Sequence, residues 1–150
     1  MVVRTLSRDE IEGDPHCVWN AFVNLLAMES YDDLAPEQRP AHLVFWYESE
    51  IQNGGHLQYF ENQGTKYLCE TIESLGMLGA HCHQLLLKDA SDVWFSRNRP
   101  NIESVEEFCD AALDGELDPF DQRFWECNPS LMEVLERHLE QRQALFVVLD

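Results

Sequence analysis

The chain has 150 residues, with 28 Asp+Glu against 10 Lys+Arg and a formal net charge of −18 at pH 7. That balance weighs against DNA, RNA and anionic lipid as direct partners, because like charges repel at range, and it favours a basic protein or a cation. Hydrophobic residues make up 45% of the chain, enough to offset chain entropy, so the composition excludes a disordered acidic tail and fits one folded domain over 1–150.

The N-terminus, Met1 to Glu12, has no apolar core of a signal peptide, and no run approaches the roughly 18 apolar residues that span a bilayer. Asp14-Pro15 reads as the cap and first turn of a helix to about Glu29, with Val18, Trp19, Phe22, Leu25 and Leu26 on one side. After a loop, Pro36 restarts a helix and Pro40 lies near its start. Ala41 to Ile51 is apolar nearly all round, which predicts a central buried helix. Asn53-Gly54-Gly55 is expected to stop it, because glycine takes the left-handed conformation found at helix ends.

A short helical turn, His56 to Glu61, comes next. Helices are then predicted over Lys66 to Leu75, capped by Thr65 and closed by Gly76, and over Leu78 to about Trp94. Ile102 to Asp114 follows, ending at Gly115. Asp118-Pro119 opens a short helix through Trp125, and Asn128-Pro129 opens the last one. The run Leu145 to Leu149 could close as a strand or a docked tail. No alternating segment of convincing length appears, so the fold expected is all-α, a single domain of about seven helices.

Cys17, Cys69, Cys82, Cys109 and Cys127 are odd in number, scattered, and form no C-x-x-C pair. They read as reduced, mostly buried thiols of a cytoplasmic protein. His81-Cys82-His83 invites a metal, but residues two apart on a helix point about 200° from each other, so no metal site is assigned. No nucleotide, hydrolase or metalloprotease motif is present, so no catalytic residue and no cofactor is assigned.

The least ordinary stretch runs from Glu48 to Asn62. It reads as a helix end, a two-glycine hinge and an aromatic turn, with Tyr59 and Phe60 packing the corner. A polar pocket formed by Glu50, Asn53, Gln58 and Asn62 is the alternative. The passage through Asn53-Gly54-Gly55 to Gln58-Tyr59-Phe60 and Asn62, then to Leu75-Gly76, resembles the bacterial protein family named for its DNA-mimic member, over about Ala41 to Trp94. His56 stands where that pattern carries an aromatic. The resemblance implies an acidic all-helical protein whose carboxylates take the phosphate sites of a DNA-binding protein, with a homodimer as one option.

The acids themselves are placed. Between Arg99 and Arg123 there is no basic residue, yet Glu103, Glu106, Glu107, Asp110, Asp114, Glu116, Asp118 and Asp121 all occur. Spacings of 4, 3 and 4 put Glu103, Glu107, Asp110 and Asp114 on one helical face. Ile102, Val105, Phe108, Cys109, Ala112 and Leu113 are expected to pin the other face to the core. Acids four apart on a helix lie about 6 Å apart along its axis, comparable to successive phosphates on a strand. The partner-binding face expected is therefore Glu103, Glu106, Glu107, Asp110, Asp114, Asp118 and Asp121, and its partner a basic, nucleic-acid-binding protein. Three other readings stay open: acidity that serves solubility alone, an immunity-type protein neutralising a basic toxin, and a small-ligand or enzymatic site at Glu50, Asn53, His56 and Gln58.

Overall fold

The apolar run from Ala41 to Ile51 forms the first half of the longest helix, and the other elements are laid around it. In the computed structural model, which describes residues 1–150, the order is β1 (Arg4–Leu6), α1 (Arg8–Gly13), α2 (Cys17–Met28), α3 (Arg39–Gln63), α4 (Leu68–Met77), α5 (His81–Trp94), α6 (Val105–Asp114), α7 (Asp118–Glu126), α8 (Leu131–Arg142) and β2 (Val147–Leu149). Short 3-10 turns precede α3 and follow α8. The fold is all-α, with eight helices and one two-stranded sheet. No helix is long and apolar enough to cross a membrane.

Helix α3 packs against α2, α4, α7 and α8, and α5 packs against α4 and α7. Tyr47, Phe22, Phe60 and Phe146 are the largest side chains fully buried between them. The sheet joins the two ends of the chain: β1 runs parallel to β2, with Arg4 beside Val147 and Leu6 beside Leu149. Three-residue strands carry too little alternation to be read from sequence, although the β-branched tail had left a strand open. Gln38 secures this closure. Its buried amide donates to the carbonyls of Val2 and Leu145, both at 2.6 Å, and its carbonyl accepts from the Ala35 N–H at 2.9 Å.

Several helix starts differ from the expectation: α4 begins at Leu68 with no cap from Thr65, and α5 at His81 and not at Leu78. Asp14 does not cap α2 directly; its carboxylate accepts from the His16 N–H at 2.8 Å, and the helix begins at Cys17. At α8 the cap is Ser130, which exchanges hydrogen bonds with Glu133 in a capping box, one residue after Pro129. The Ser-x-x-Glu pattern outranked the Asn-Pro pair because it satisfies two orphan donors at once.

The expectation of five reduced, mostly buried thiols is overturned. Cys82 at the start of α5 and Cys127 at the end of α7 form a disulfide, Cys69 and Cys109 are exposed, and Cys17 is half-buried. Partners brought together by tertiary packing leave no spacing signal. With Cys82 and Cys127 paired, cysteine usage no longer points to a reducing compartment.

His81 and His83 diverge as helical geometry requires: His81 is exposed and His83 is buried. Burial pushes the His83 imidazole down to about 4 from an ordinary 6.5. Below pH 6.5 the unfolded chain therefore binds a proton that the folded chain refuses. His83 should destabilise the fold progressively from pH 6.5 down to 4, by about 3 kcal/mol at 1.4 kcal/mol per unit. Chemical denaturation across that range checks this, and His83→Phe should flatten the slope relative to the wild type.

Candidate functional site

Helix α3 does not stop at the two glycines; it kinks. Gly54 and Gly55 leave helical geometry inside α3, with Gly55 at φ +76°. The reach of the side chains shows how sharp the bend is. Glu50 and Asn62 are twelve residues apart, which is about 18 Å along a straight helix. Yet the Glu50 carboxylate accepts from Gln58 Nε2 and Asn62 Nδ2, both at 2.9 Å, and from Gln63 Nε2 at 3.3 Å. The buried carboxylate of the first half is thus solvated by three amides of the second half. Of the four residues expected to form a polar pocket, Glu50, Gln58 and Asn62 do come together. Asn53 is exposed and apart from them. The cluster spends its hydrogen bonds on the kink.

His56, the first residue after the glycines, is fully buried and bonded at every polar position. Its backbone N–H donates to Asp121 Oδ1 of α7 at 2.8 Å, and Nδ1 meets the same oxygen at 2.7 Å. Asp121 only accepts, so Nδ1 carries the hydrogen, and in the neutral imidazole Nε2 is the acceptor. Tyr47, whose phenol burial pushes well above its usual range, donates to Nε2 at 2.8 Å. A Cβ on Gly55 would stand 2.4 Å from Asp121 Oδ2. The glycine is needed twice, for its positive φ and for the space the carboxylate occupies. The imidazole packs against Tyr47 and Phe120 and makes two hydrogen bonds through its ring nitrogens. Tyr47→Phe should leave Nε2 buried without a donor and lower stability by about 1–2 kcal/mol in urea denaturation.

The acidic helix α6 is shorter than expected and oriented differently. It begins at Val105, with Ser104 as cap accepting from the Glu107 N–H at 3.1 Å. Glu103 therefore lies before the helix, where its own N–H donates to Glu107 Oε2 at 2.7 Å. The helix buries no residue. Val105 and Leu113, expected to face the core, are 81% and 85% exposed, so the apolar stripe does not anchor the helix. Instead Glu107, Asp110, Ala111 and Asp114 line a cleft of about 440 Å³ opposite Leu57, Glu61 and Trp94. Gly115, left-handed at φ +67°, ends the helix.

A smaller cavity of about 80 Å³ continues the cleft past Asp114 to Asp118, Asp121 and Gly54. The acidic stretch and the glycine corner, far apart in sequence, are therefore one place, joined by Asp121. Arg97 and Arg99 border both cavities, but each is held by Glu116: Arg97 at 3.0 Å, with Arg99 also stacked over Trp94 and donating to the carbonyls of Val93 and Trp94. These arginines draw the Glu116 carboxyl below its usual value. Glu103, Glu106, Glu107, Asp110, Asp114 and Asp118 make no ion pair.

Sequence reasoning missed Tyr47, the role of Asp121 as the acceptor for His56, and the Glu116 clamp. A polar residue directly after a double glycine was the one available signal for the first two. No curated protein and no solved structure matches the chain significantly. A family model described as DMP19-like protein matches residues 32–142, about three quarters of the chain. That span takes in the kinked helix, the acidic helix and Asp121 together, and the chain belongs to the DMP19-like protein family.

Proposed function

We propose that this protein is a non-enzymatic binding protein that uses its acidic face as a DNA mimic, occupying the basic surface of a nucleic-acid-binding protein. Membership of the DMP19-like family suggests a role of the DNA-mimic type. The observation that carries the reading is the set of exposed carboxylates without cations: Glu103, Glu106, Glu107, Asp110, Asp114 and Asp118. Like charges three and four apart on α6 cost a few tenths of a kcal/mol per pair. The two nearby arginines do not relieve this, because Glu116 holds them.

Asp121 belongs to the same face but differs in kind. It is half-buried and bonded to His56, so it holds the corner beside the acids and is a positioning residue for them. Competition tests the proposal. A basic DNA-binding protein loaded with a labelled duplex should release it as this protein is added, followed by fluorescence anisotropy at low salt. Release that survives Asn/Gln replacement of Glu106, Glu107, Asp110 and Asp114 would sink the assignment of the face.

A further inference from the structure

A second place lies outside that face, at the C-terminal end of α7. A cavity of about 70 Å³ is lined by Glu48, Gln52, His83, Phe124, Trp125 and Met132. Two of its groups are ionisable and buried, Glu48 at 6% exposure and His83 at 1%. The Glu48 carboxylate accepts from the Gln52 amide and has no cation beside it. Nδ1 of His83 has no hydrogen-bond partner in the protein. Burial raises the Glu48 carboxyl and lowers the His83 imidazole, as expected of groups waiting for a counter-charge or a donor.

The cavity offers acceptors on an aromatic wall. Glu48 brings a buried carboxylate, His83 a ring nitrogen without a partner, and Gln52 an amide that gives one of its two N–H bonds to Glu48. The Ser130 hydroxyl, which also reaches the cavity, is engaged with Glu133 at the start of α8. Phe124 and Trp125, edge to face at 5.3 Å, both border the cavity, and Trp125 is 63% exposed. An acceptor-rich, aromatic-walled slot suits a compact cation that donates N–H bonds.

We propose that this slot between the first half of α3, α5, the end of α7 and the start of α8 binds one alkylammonium group, with Glu48 as its counter-ion, Trp125 as its π-wall and His83 as a second acceptor. The group could be a free primary amine or the end of a lysine side chain on a partner, and the proposal does not depend on the acidic face.

The test uses n-butylammonium and the peptide acetyl-Gly-Gly-Lys-Gly-Gly-amide, at fixed ionic strength to suppress diffuse binding by the net charge of −18. The readout is the 15N shift of the His83 ring. A saturable shift is expected with n-butylammonium. Binding of the peptide as well supports a partner lysine, and its exclusion supports a free amine. Tetrapropylammonium, which has no N–H to donate and exceeds the cavity, should give no saturable shift. Glu48→Gln should weaken binding at least about tenfold, and Trp125→Ala, at an exposed position that leaves folding intact, by several-fold. Glu140→Gln, at an exposed acid of α8, should leave the shift unchanged. Shifts that rise linearly with amine, or that persist unchanged in both Glu48→Gln and Trp125→Ala, would overturn the proposal and leave the slot to bridging water.

Discussion

Gly55→Ala is expected to destabilise the fold by about 3–5 kcal/mol. A left-handed alanine costs roughly 1–2 kcal/mol by itself. The greater part comes from the collision with Asp121, whose Oδ2 lies 2.4 Å from the added carbon. Relief requires Asp121 to withdraw, and then the buried N–H and ring N–H of His56 lose their acceptor together, at roughly 1–3 kcal/mol each. Gly54→Ala is the contrast. Its φ of −162° suits any residue, and its new carbon meets Gln58, whose amide end can swing away at the loss of one bond to Glu50 while its Cβ, 2.9 Å from the added carbon, needs a small backbone shift. About 1–2 kcal/mol is expected there. Urea denaturation of both variants checks the ranking, and equal effects would mean that Asp121 does not hold the kink.

Removing the disulfide, by Cys82→Ser with Cys127→Ser, is expected to cost about 2–4 kcal/mol. The bridge closes a loop with a sequence separation of 45, and chain entropy alone assigns a loop of that size roughly 4 kcal/mol. Some of this returns as relaxation of the native state. The loop holds α5, α6 and α7, so the acidic helix, which buries nothing itself, hangs from a segment tied at both ends. The loss should appear in urea denaturation of the double variant, and equally in the wild type after reduction. Identical stability with and without reductant would show that the pair does not form in solution.

Where burial follows a repeating pattern, the fold was legible from sequence. The apolar run from Ala41 to Ile51 is the core of α3, and Gly115 does end α6. The kink was half legible: the glycines announced a break, but a corner bridged by side chains from Glu50 to Asn62 and from His56 to Asp121 depends on contacts that no local spacing encodes. The same holds for Cys82 with Cys127. In α6 the hydrophobic period was read correctly as helix and wrongly as burial. Periodicity says which residues share a face, and the packing of neighbouring elements decides whether that face is covered. With Val105 and Leu113 exposed, the cleft side of α6 is its acidic side.

On the proposed reading the uncompensated carboxylates of the α6 face bind a basic nucleic-acid-binding surface, and affinity against salt tests this most directly. A basic DNA-binding protein should be titrated with the wild type and with the variant Glu106→Gln, Glu107→Gln, Asp110→Asn and Asp114→Asn, leaving Asp121 in place to keep the corner. The wild type should bind tightly at 50 mM salt and lose roughly tenfold or more by 200 mM, while the variant binds at least about tenfold more weakly with a shallower slope. Equal affinity and equal slope for the two proteins would contradict the claim.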